Sequence, residues 1–381
     1  MNKPQTLKGF RDFLPEDMVV RNKVIATLKK VFASYGFSEL QTPTLEYAEV
    51  LTGKYGEEAE KLMYLFKDQG GREVGLKYDL TVPLARVMAQ YSDLPKPFKR
   101  YQIQPAFRAE NPQKGRYREF TQCDIDTVGT SSPVADAEIL TIISDSLIAL
   151  GFVNFDIRLN SRKILFSITD SLSILQSLDK LDKKSEEEVK QELIQKGTGK
   201  EKIAEVFAKL KSAQPDENLR QIINLAQKLG AQNIKFDPAL VRGLDYYTGA
   251  IFETVVTLPK IGSLTGGGRY DNLIKSLGGP DLPAVGTTIG LDRIVDVITD
   301  LKLWKNLPTT NTEYLVTVFS AETQNKSLEY AAKLRTEGKN VEVYPDAAKL
   351  DKQLKYASLK GIPFVAIIGP EEAASNTVKI K

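Results

Sequence analysis

Histidine is absent from all 381 residues, and the chain has a single cysteine, Cys123, and a single tryptophan, Trp304. The first absence restricts most. No Ser-His-Asp or Cys-His relay can operate without its imidazole base, and no histidine-ligated zinc or haem can form. A lone cysteine closes no internal disulfide and completes no cysteine zinc site, and it suits a reducing compartment. Acid–base chemistry therefore falls to carboxylates, Lys, Tyr or the substrate itself. Long hydrophobic runs are missing as well. Stretches such as Phe364–Ile368 are far too short to span a bilayer, and the opening MNKPQTLKGFRDFLPED holds no apolar leader segment. The expectation is a cytoplasmic protein with no membrane partner. Charge of one sign is lacking too: 52 Lys+Arg face 49 Asp+Glu, so the net +3 identifies no nucleic-acid partner by itself. The familiar phosphate loops are missing. Gly197-Thr198-Gly199-Lys200 is followed by Glu201 where a P-loop needs Ser or Thr, and Gly262 to Gly268 does not fit the dinucleotide fingerprint.

What is present is ordinary globular sequence, 42% hydrophobic and 27% charged. At about 150 residues per domain it predicts two or three domains. Pro15 and Glu16 open a helix carried by Val24, Leu28, Val31 and Tyr35 and stopped by Gly36. Phe37–Leu45 reads as extended, and Met63–Lys67 and Glu73–Tyr78 as a hairpin about Asp68-Gln69-Gly70-Gly71. Thr81–Gln90 reads as a short helix. Phe98–Phe107 and Arg116–Val128 read as strands, the segment from Ser132 to Leu150 as a helix, and Phe152–Leu159 as a strand. Residues 165–232 turn rich in Lys, Glu, Leu and Gln, as in Lys183-Lys184-Ser185-Glu186-Glu187-Glu188, and read as three or four amphipathic helices. Gly249–Leu258 is a strand, Gly266-Gly267-Gly268 a turn, and Pro283–Thr288 a strand leading into a helix from Gly290. After a polar linker, 306–312, the pattern is β-α-β: strands Tyr314–Phe319, Val341–Tyr344 and Pro363–Ile368 alternate with helices Gln324–Gly338 and Ala347–Lys360. This predicts a small α/β domain with a parallel or mixed sheet.

The densest chemical signal is an arginine cluster, Arg100, Arg108, Arg116 and Arg118, interleaved with Glu110, Glu119, Phe120, Gln122, Asp124 and Asp126. Strand alternation puts Gln122, Asp124 and Asp126 on one face, with Arg116, Arg118 and Phe120 continuing the parity. One reading is a solvated, salt-bridged sheet face. The other is a polyphosphate grip, with arginine forks on phosphate oxygens, an aromatic under a base, and carboxylates for a cation or an amine. Arg242-Gly243-Leu244-Asp245-Tyr246-Tyr247 and the helix start Gly290-Leu291-Asp292-Arg293 add further arginines beside turn glycines. A hairpin edge with surface tyrosines and a surface Arg are their plainer readings.

On these residues the chain resembles histidyl-tRNA synthetase, a class II aminoacyl-tRNA synthetase, along nearly its whole length. Gly36–Leu45 with Thr42-Pro43 is similar to class II motif 1, which implies a homodimer. Phe107-Arg108-Ala109-Glu110 with Gly115-Arg116-Tyr117-Arg118-Glu119-Phe120 is similar to motif 2, and Ile289–Arg293 to motif 3. Arg242–Tyr247 and Gly267-Gly268-Arg269-Tyr270-Asp271 are similar to the family's histidine motifs. The resemblance implies a mixed α/β fold: a class II antiparallel sheet flanked by helices, at 1–164 and 233–305, a helical insertion at 165–232, and an anticodon-binding-like α/β domain at 313–381 that stops short of the family's last strand and helix. It implies activation of L-histidine with ATP and Mg²⁺, then transfer to histidine tRNA. Arg108 would hold the α-phosphate and the histidine carboxylate, and Arg242, also among the histidine-binding residues, would stabilise charge at the same α-phosphate. Glu110, Arg116 and Arg293 would hold the ATP tail, Glu110 also its Mg²⁺, and Phe120 would lie under adenine. Asp79, Leu80 and Thr81 would meet the substrate amine side, Gln122 its backbone, and Asp126 with Tyr246, Tyr247 and Tyr270 its imidazole. Asp79 and Asp126 stand where many bacterial members carry Glu. The competing resemblance is to the histidine-binding regulatory subunit of ATP phosphoribosyltransferase, a non-catalytic paralogue that typically lacks the intact histidine motif and the last domain.

Overall fold

A computed structural model describes residues 3–54, 57–182, 184–242, 246–259, 261–305 and 307–381. Gly243, Leu244 and Asp245 of the histidine motif, Lys183 of the charged run and Asn306 at the head of the linker lie outside the described residues. The chain forms two compact units, one made of the residues up to 11 with 24–303, the other of 12–23 with 304–381. Among the described residues no helix is long and apolar enough to cross a membrane.

The strands of the larger unit are, in chain order, β1 (Ser38–Glu39), β2 (Leu45–Tyr47), β3 (Leu65–Lys67), β4 (Glu73–Leu76), β5 (Phe98–Phe107), β6 (Glu119–Val128), β7 (Asp156–Ser161), β8 (Ile234–Phe236), β9 (Ala250–Val255), β10 (Thr265–Arg269) and β11 (Ala284–Gly290). One sheet runs β1-β5-β6-β11-β10-β9-β7-β8. Its inner strands are antiparallel, and β1 and β8 join in parallel at the edges. A second, small antiparallel sheet runs β2-β4-β3.

Strand alternation divides the large sheet into two unlike faces. One carries Cys123, Ile125, Leu159, Phe252, Val285 and Ile289, all buried. The helix Pro133–Ala149 lies on that side, with Ile139, Leu140, Ile142, Ile143 and Leu147 fully buried. It is pinned by Arg269, whose Nε donates to Asp136 Oδ1 at 3.1 Å and whose Nη1 and Nη2 reach the carbonyls of Thr130 (3.0 Å) and Ser132 (3.4 Å). The other face is polar and holds the candidate site. Beside it packs the helix Thr81–Gln90, whose Val82, Leu84, Ala85 and Met88 share an apolar cluster with Tyr78, Tyr270, Leu273 and Ile274.

The smaller unit contains β12 (Tyr314–Val316), β13 (Val341–Val343), β14 (Phe364–Ile367) and β15 (Lys379–Ile380) in the order β13-β12-β14-β15, the first three parallel and β15 antiparallel. Helices Ala321–Thr336 and Leu350–Lys360 connect the parallel strands. Gly361 ends the second at φ +72, the left-handed position where a β-carbon is disfavoured.

Several local expectations change. Gly266-Gly267-Gly268 is not a turn but the middle of β10, because neighbouring groups press against each glycine, as described below. The strand placed at Phe152–Leu159 runs from Asp156 to Ser161. The helical block holds Arg162–Ile168, Leu172–Leu178, Glu186–Gln195, Lys200–Ser212 and Glu217–Lys228, one helix more than expected, with the first running across residue 165. Ser161, Ser171, Ser185 and Asp216 start four of them as side-chain N-caps.

Candidate active site

The register of the large sheet assembles the site row by row. Arg100 of β5 lies opposite Asp126 of β6, which lies opposite Gly286 of β11 and then Gly268 of β10. The next row is Gln102, Asp124, Thr288, Gly266 and Glu253. The third is Gln104, Gln122 and Gly290. The expected face of Gln122, Asp124 and Asp126 is therefore real, but it is a buried floor rather than a solvated one. Asp124 and Asp126 are 1% and 2% exposed.

The glycines make this floor usable. A β-carbon on Gly286 would overlap the Asp126 carboxylate, and one on Gly266 would overlap the Arg242 guanidinium. On Gly268 it would sit 2.7 Å from the Ala250 carbonyl oxygen and 3.0 Å from the Tyr247 ring. The missing side chains on β10 and β11 let Asp126, Arg242 and Tyr247 lie across the sheet.

At one end of the floor, Arg100 Nη2 ion-pairs Asp126 at 2.8 Å and sits 3.9 Å from Asp124. Its guanidinium also donates to Gln102 Oε1 (3.0 Å) and the Leu80 carbonyl (3.1 Å). The Tyr270 hydroxyl donates to Asp126 Oδ1. Tyr246 stands edge-on to Tyr247 at 4.7 Å and to Tyr270 at 6.2 Å. Burial pushes the three tyrosines up, Tyr247 to about 12 and the others well above their ordinary value, so all remain O–H donors at neutral pH. Burial also pushes Asp124 and Asp126 up, with Arg100 opposing. One buried arginine shared by two carboxylates leaves the pair holding a proton to higher pH than free carboxylates do. Gln122 Oε1 and Asp124 Oδ1 have no hydrogen-bond partner among the described residues, and Asp126 Oδ2 has the Arg100 ion pair but no hydrogen bond of its own, so this corner presents acceptors for a ligand that brings donors.

Asp79 lies against this corner. Its Oδ1 accepts from the backbone N–H of Thr81 and of Val82, both at 3.0 Å, which fixes the carboxylate at the start of the Thr81–Gln90 helix. Leu80 contributes only its carbonyl; its side chain is fully buried core.

The other end of the floor is cationic. Arg108 donates to the Tyr78 carbonyl at 3.1 Å, with its guanidinium 4.3 Å from the Tyr78 ring centre and 5.1 Å from that of Phe120. Arg242 Nη1 reaches Ser263 Oγ (3.3 Å) and pairs with Glu253 (3.4 Å). Arg293 donates to the carbonyls of Gly115 (2.9 Å) and Ser263 (2.6 Å). Arg116 pairs with Glu110 at 3.0 Å. Burial, with Arg116 and Arg242 nearby, pulls Arg293 below its ordinary value. Arginines crowded this closely are relieved by a polyanion.

Two of the clustered arginines play other parts. Arg100 is wholly buried under the carboxylates. Arg118 turns away, donating to the carbonyls of Glu110 (3.1 Å) and Lys8 (3.3 Å), because the regular strand begins only at Glu119. Glu253 joins the site although no motif marks it; its only signal in the sequence is a lone carboxylate within the strand Ala250–Val255. Among the described residues no group of three carboxylates or cysteines could hold a metal by itself. Mg²⁺ needs one or two carboxylates when phosphates supply the rest, and Glu110 at the edge of the arginine cluster fits that demand.

Residues 9–294 match the family model described as histidyl-tRNA synthetase, and residues 313–381 match one described as anticodon binding domain. A histidine–tRNA ligase of Cytophaga hutchinsonii is 39% identical, covering 100% of this chain and 96% of the relative. That of Aeropyrum pernix is 41% identical, covering 97% and 92%. The crystal structure of histidyl-tRNA synthetase from Nostoc sp. PCC 7120 superposes with a TM-score of 0.86 at 30% identity, covering 100% of this chain and 95% of that one. A Bacillus halodurans structure described as an ATP phosphoribosyltransferase regulatory subunit/histidyl-tRNA synthetase gives 0.79 at 21% identity over 96% and 99%, a likeness of fold alone. Matches of this extent across both units place the chain in the histidyl-tRNA synthetase family.

Proposed function

We propose that the chain is a histidine–tRNA ligase: it activates L-histidine with ATP and transfers the histidyl group to the 3′-terminal adenosine of histidine tRNA. The observation that carries this reading is one glycine-floored sheet face with the buried acceptors of Gln122, Asp124 and Asp126 at one end and Arg242, Arg293 and Arg116 at the other. An imidazole brings N–H donors to the first; a triphosphate suits the second.

In this reading Asp126, held by Arg100 and Tyr270, takes one imidazole N–H, with Tyr246 and Tyr247 closing the pocket. Apolar amino acids are rejected because they leave the Gln122 and Asp124 oxygens unpaired and bring Asp126 no donor. Asp79 and Thr81 receive the α-amine and Gln122 the amino-acid backbone. The substrate carboxylate attacks the α-phosphorus in line and pyrophosphate leaves. Arg108 and Arg242 balance charge on the α-phosphate, with positioning and electrostatics as the whole of the protein's catalysis. Arg116 and Arg293 hold the ATP tail, and Phe120 gives adenine a stacking surface. Bound Mg²⁺ would neutralise phosphate charge, with Glu110 as its protein ligand. In the second step a tRNA ribose hydroxyl attacks the carbonyl carbon and AMP leaves, its phosphate oxygen taking the proton. No protein imidazole is needed, which agrees with a chain that has none.

Residues 1–164 and 233–305 form the catalytic core in this reading, the helical block at 165–232 is an insertion, and 313–381 bind the anticodon arm. A homodimer is supported by the exposed Leu45, Tyr47 and Phe66, which the register places on one face of the small sheet. Charging assays with histidine tRNA test the function. Attachment of L-histidine alone among the amino acids is the expected result; no charging would contradict it.

A further inference from the structure

The residues ahead of the first helix run beside the loop 108–118 that carries Glu110 and Arg116. Arg118 N donates to the Gly9 carbonyl at 2.9 Å, and its guanidinium spans the carbonyls of Lys8 and Glu110. Gly9 has φ +89, and a β-carbon there would lie 2.8 Å from Arg118 Cγ and Cδ and 2.9 Å from Pro112 Cγ. This close approach brings in Arg11. Its guanidinium lies 3.2 Å from the centre of the Tyr117 ring, and its Nη2 donates to Asp292 Oδ1 at 2.7 Å. Asp292 is 5% exposed, and its Oδ2 accepts from Thr121 N at 2.9 Å. Tyr117 follows Arg116, Asp292 precedes Arg293, and Thr121 follows Phe120. One guanidinium thus touches or bridges all three segments that bear the nucleotide-facing residues.

We propose that Arg11 is a positioning residue for ATP: its stack on Tyr117 and its ion pair with Asp292 hold the 108–118 loop and the Leu291–Asp300 helix in register, so that Glu110, Arg116 and Arg293 face one triphosphate. The inference rests on the synthetase reading and adds a residue from outside the recognised motifs. A planar, charge-delocalised guanidinium suits both contacts at once, and an ammonium does not. Arg11 reaches no residue of the imidazole corner through these contacts, so its effect belongs to the nucleotide.

The full-length chain and its Arg11→Ala, Arg11→Lys and Tyr117→Leu variants test this by calorimetric binding of α,β-methylene-ATP, by KM for ATP and for histidine in pyrophosphate exchange, and by Tm. Arg11→Ala should weaken nucleotide binding and raise KM for ATP about tenfold, with KM for histidine within about twofold. Arg11→Lys should recover part of the loss, because its ammonium reaches Asp292 without the stack. Tyr117→Leu should reproduce the ATP effect, and carries the test if Arg11→Ala does not fold. Unchanged nucleotide binding in the variants, or parallel losses for both substrates, would overturn the proposal. A wild-type chain that gives no exchange would instead overturn the synthetase reading and this inference with it.

Discussion

Asp126→Asn is the sharpest perturbation of the imidazole corner. Asp126 is buried, paired with Arg100 at 2.8 Å, and accepts from Tyr270. The amide keeps one acceptor, which Tyr270 occupies, and turns the other oxygen into a donor facing the Arg100 guanidinium and the incoming imidazole N–H. A hydrogen bond to a charged group is worth about 1.5–3 kcal/mol net, and each ~1.4 kcal/mol is tenfold. KM for histidine in pyrophosphate exchange should therefore rise about 10- to 100-fold, with a much smaller change in KM for ATP. Folding should suffer less than the ~3–5 kcal/mol that follows an uncompensated buried charge, because Asp124 remains 3.9 Å from Arg100. The pH dependence has a definite sign. Burial raises Asp126 above 3.8 in the folded state, so its contribution to stability is full below that value and is lost as pH rises through the higher folded value. The Asn variant lacks this loss, and its Tm deficit should narrow as pH rises above about 4. An unaltered KM for histidine would refute Asp126 as the imidazole partner.

Arg242→Ala should cut kcat of exchange about 100-fold or more with a modest change in KM for histidine, because its charge acts on the α-phosphate as the bond forms; an unchanged exchange rate would remove it from that role. Gly286→Ala drives a β-carbon into the Asp126 carboxylate and should raise KM for histidine at least about tenfold while leaving the sheet folded. A histidine titration together with circular dichroism separates the two effects, and normal histidine affinity would show that the glycine floor is not needed. Arg269→Met breaks the buried pair with Asp136, which is 1% exposed, and should cost about 3–5 kcal/mol in urea unfolding; a loss below about 1 kcal/mol would mean that the helix Pro133–Ala149 is held by its apolar face alone.

What could be read in the sequence follows from the range of the forces involved. The face of Gln122, Asp124 and Asp126 needs only the two-residue period of a strand. The arginines flanking Phe120 needed more. Arg100 and Arg118 have the same chemistry as Arg116, and only the pairing of β5 with β6 and the approach of Gly9 assign them to other partners. The run Gly266-Gly267-Gly268 looks like a turn by composition. It is a strand because Arg242, Phe252 and Tyr247, distant in sequence or on the next strand, occupy the space that side chains would fill. Glu253 is not legible for a similar reason: its partner Arg242 is brought to it across the sheet. Motif residues were legible because resemblance carries tertiary information that local patterns lack. The helix starts at Ser161 and Arg162 shifted because a serine cap is a short-range signal that charge-rich composition obscured.

The most direct test of the whole reading is ATP–pyrophosphate exchange by the purified chain with each amino acid in turn. Exchange that depends on L-histidine, and is absent with leucine, glutamine or lysine, is the expected result. Tight histidine binding with no exchange would contradict it, leaving a histidine-binding protein in which the arginines of the phosphate end drive no reaction.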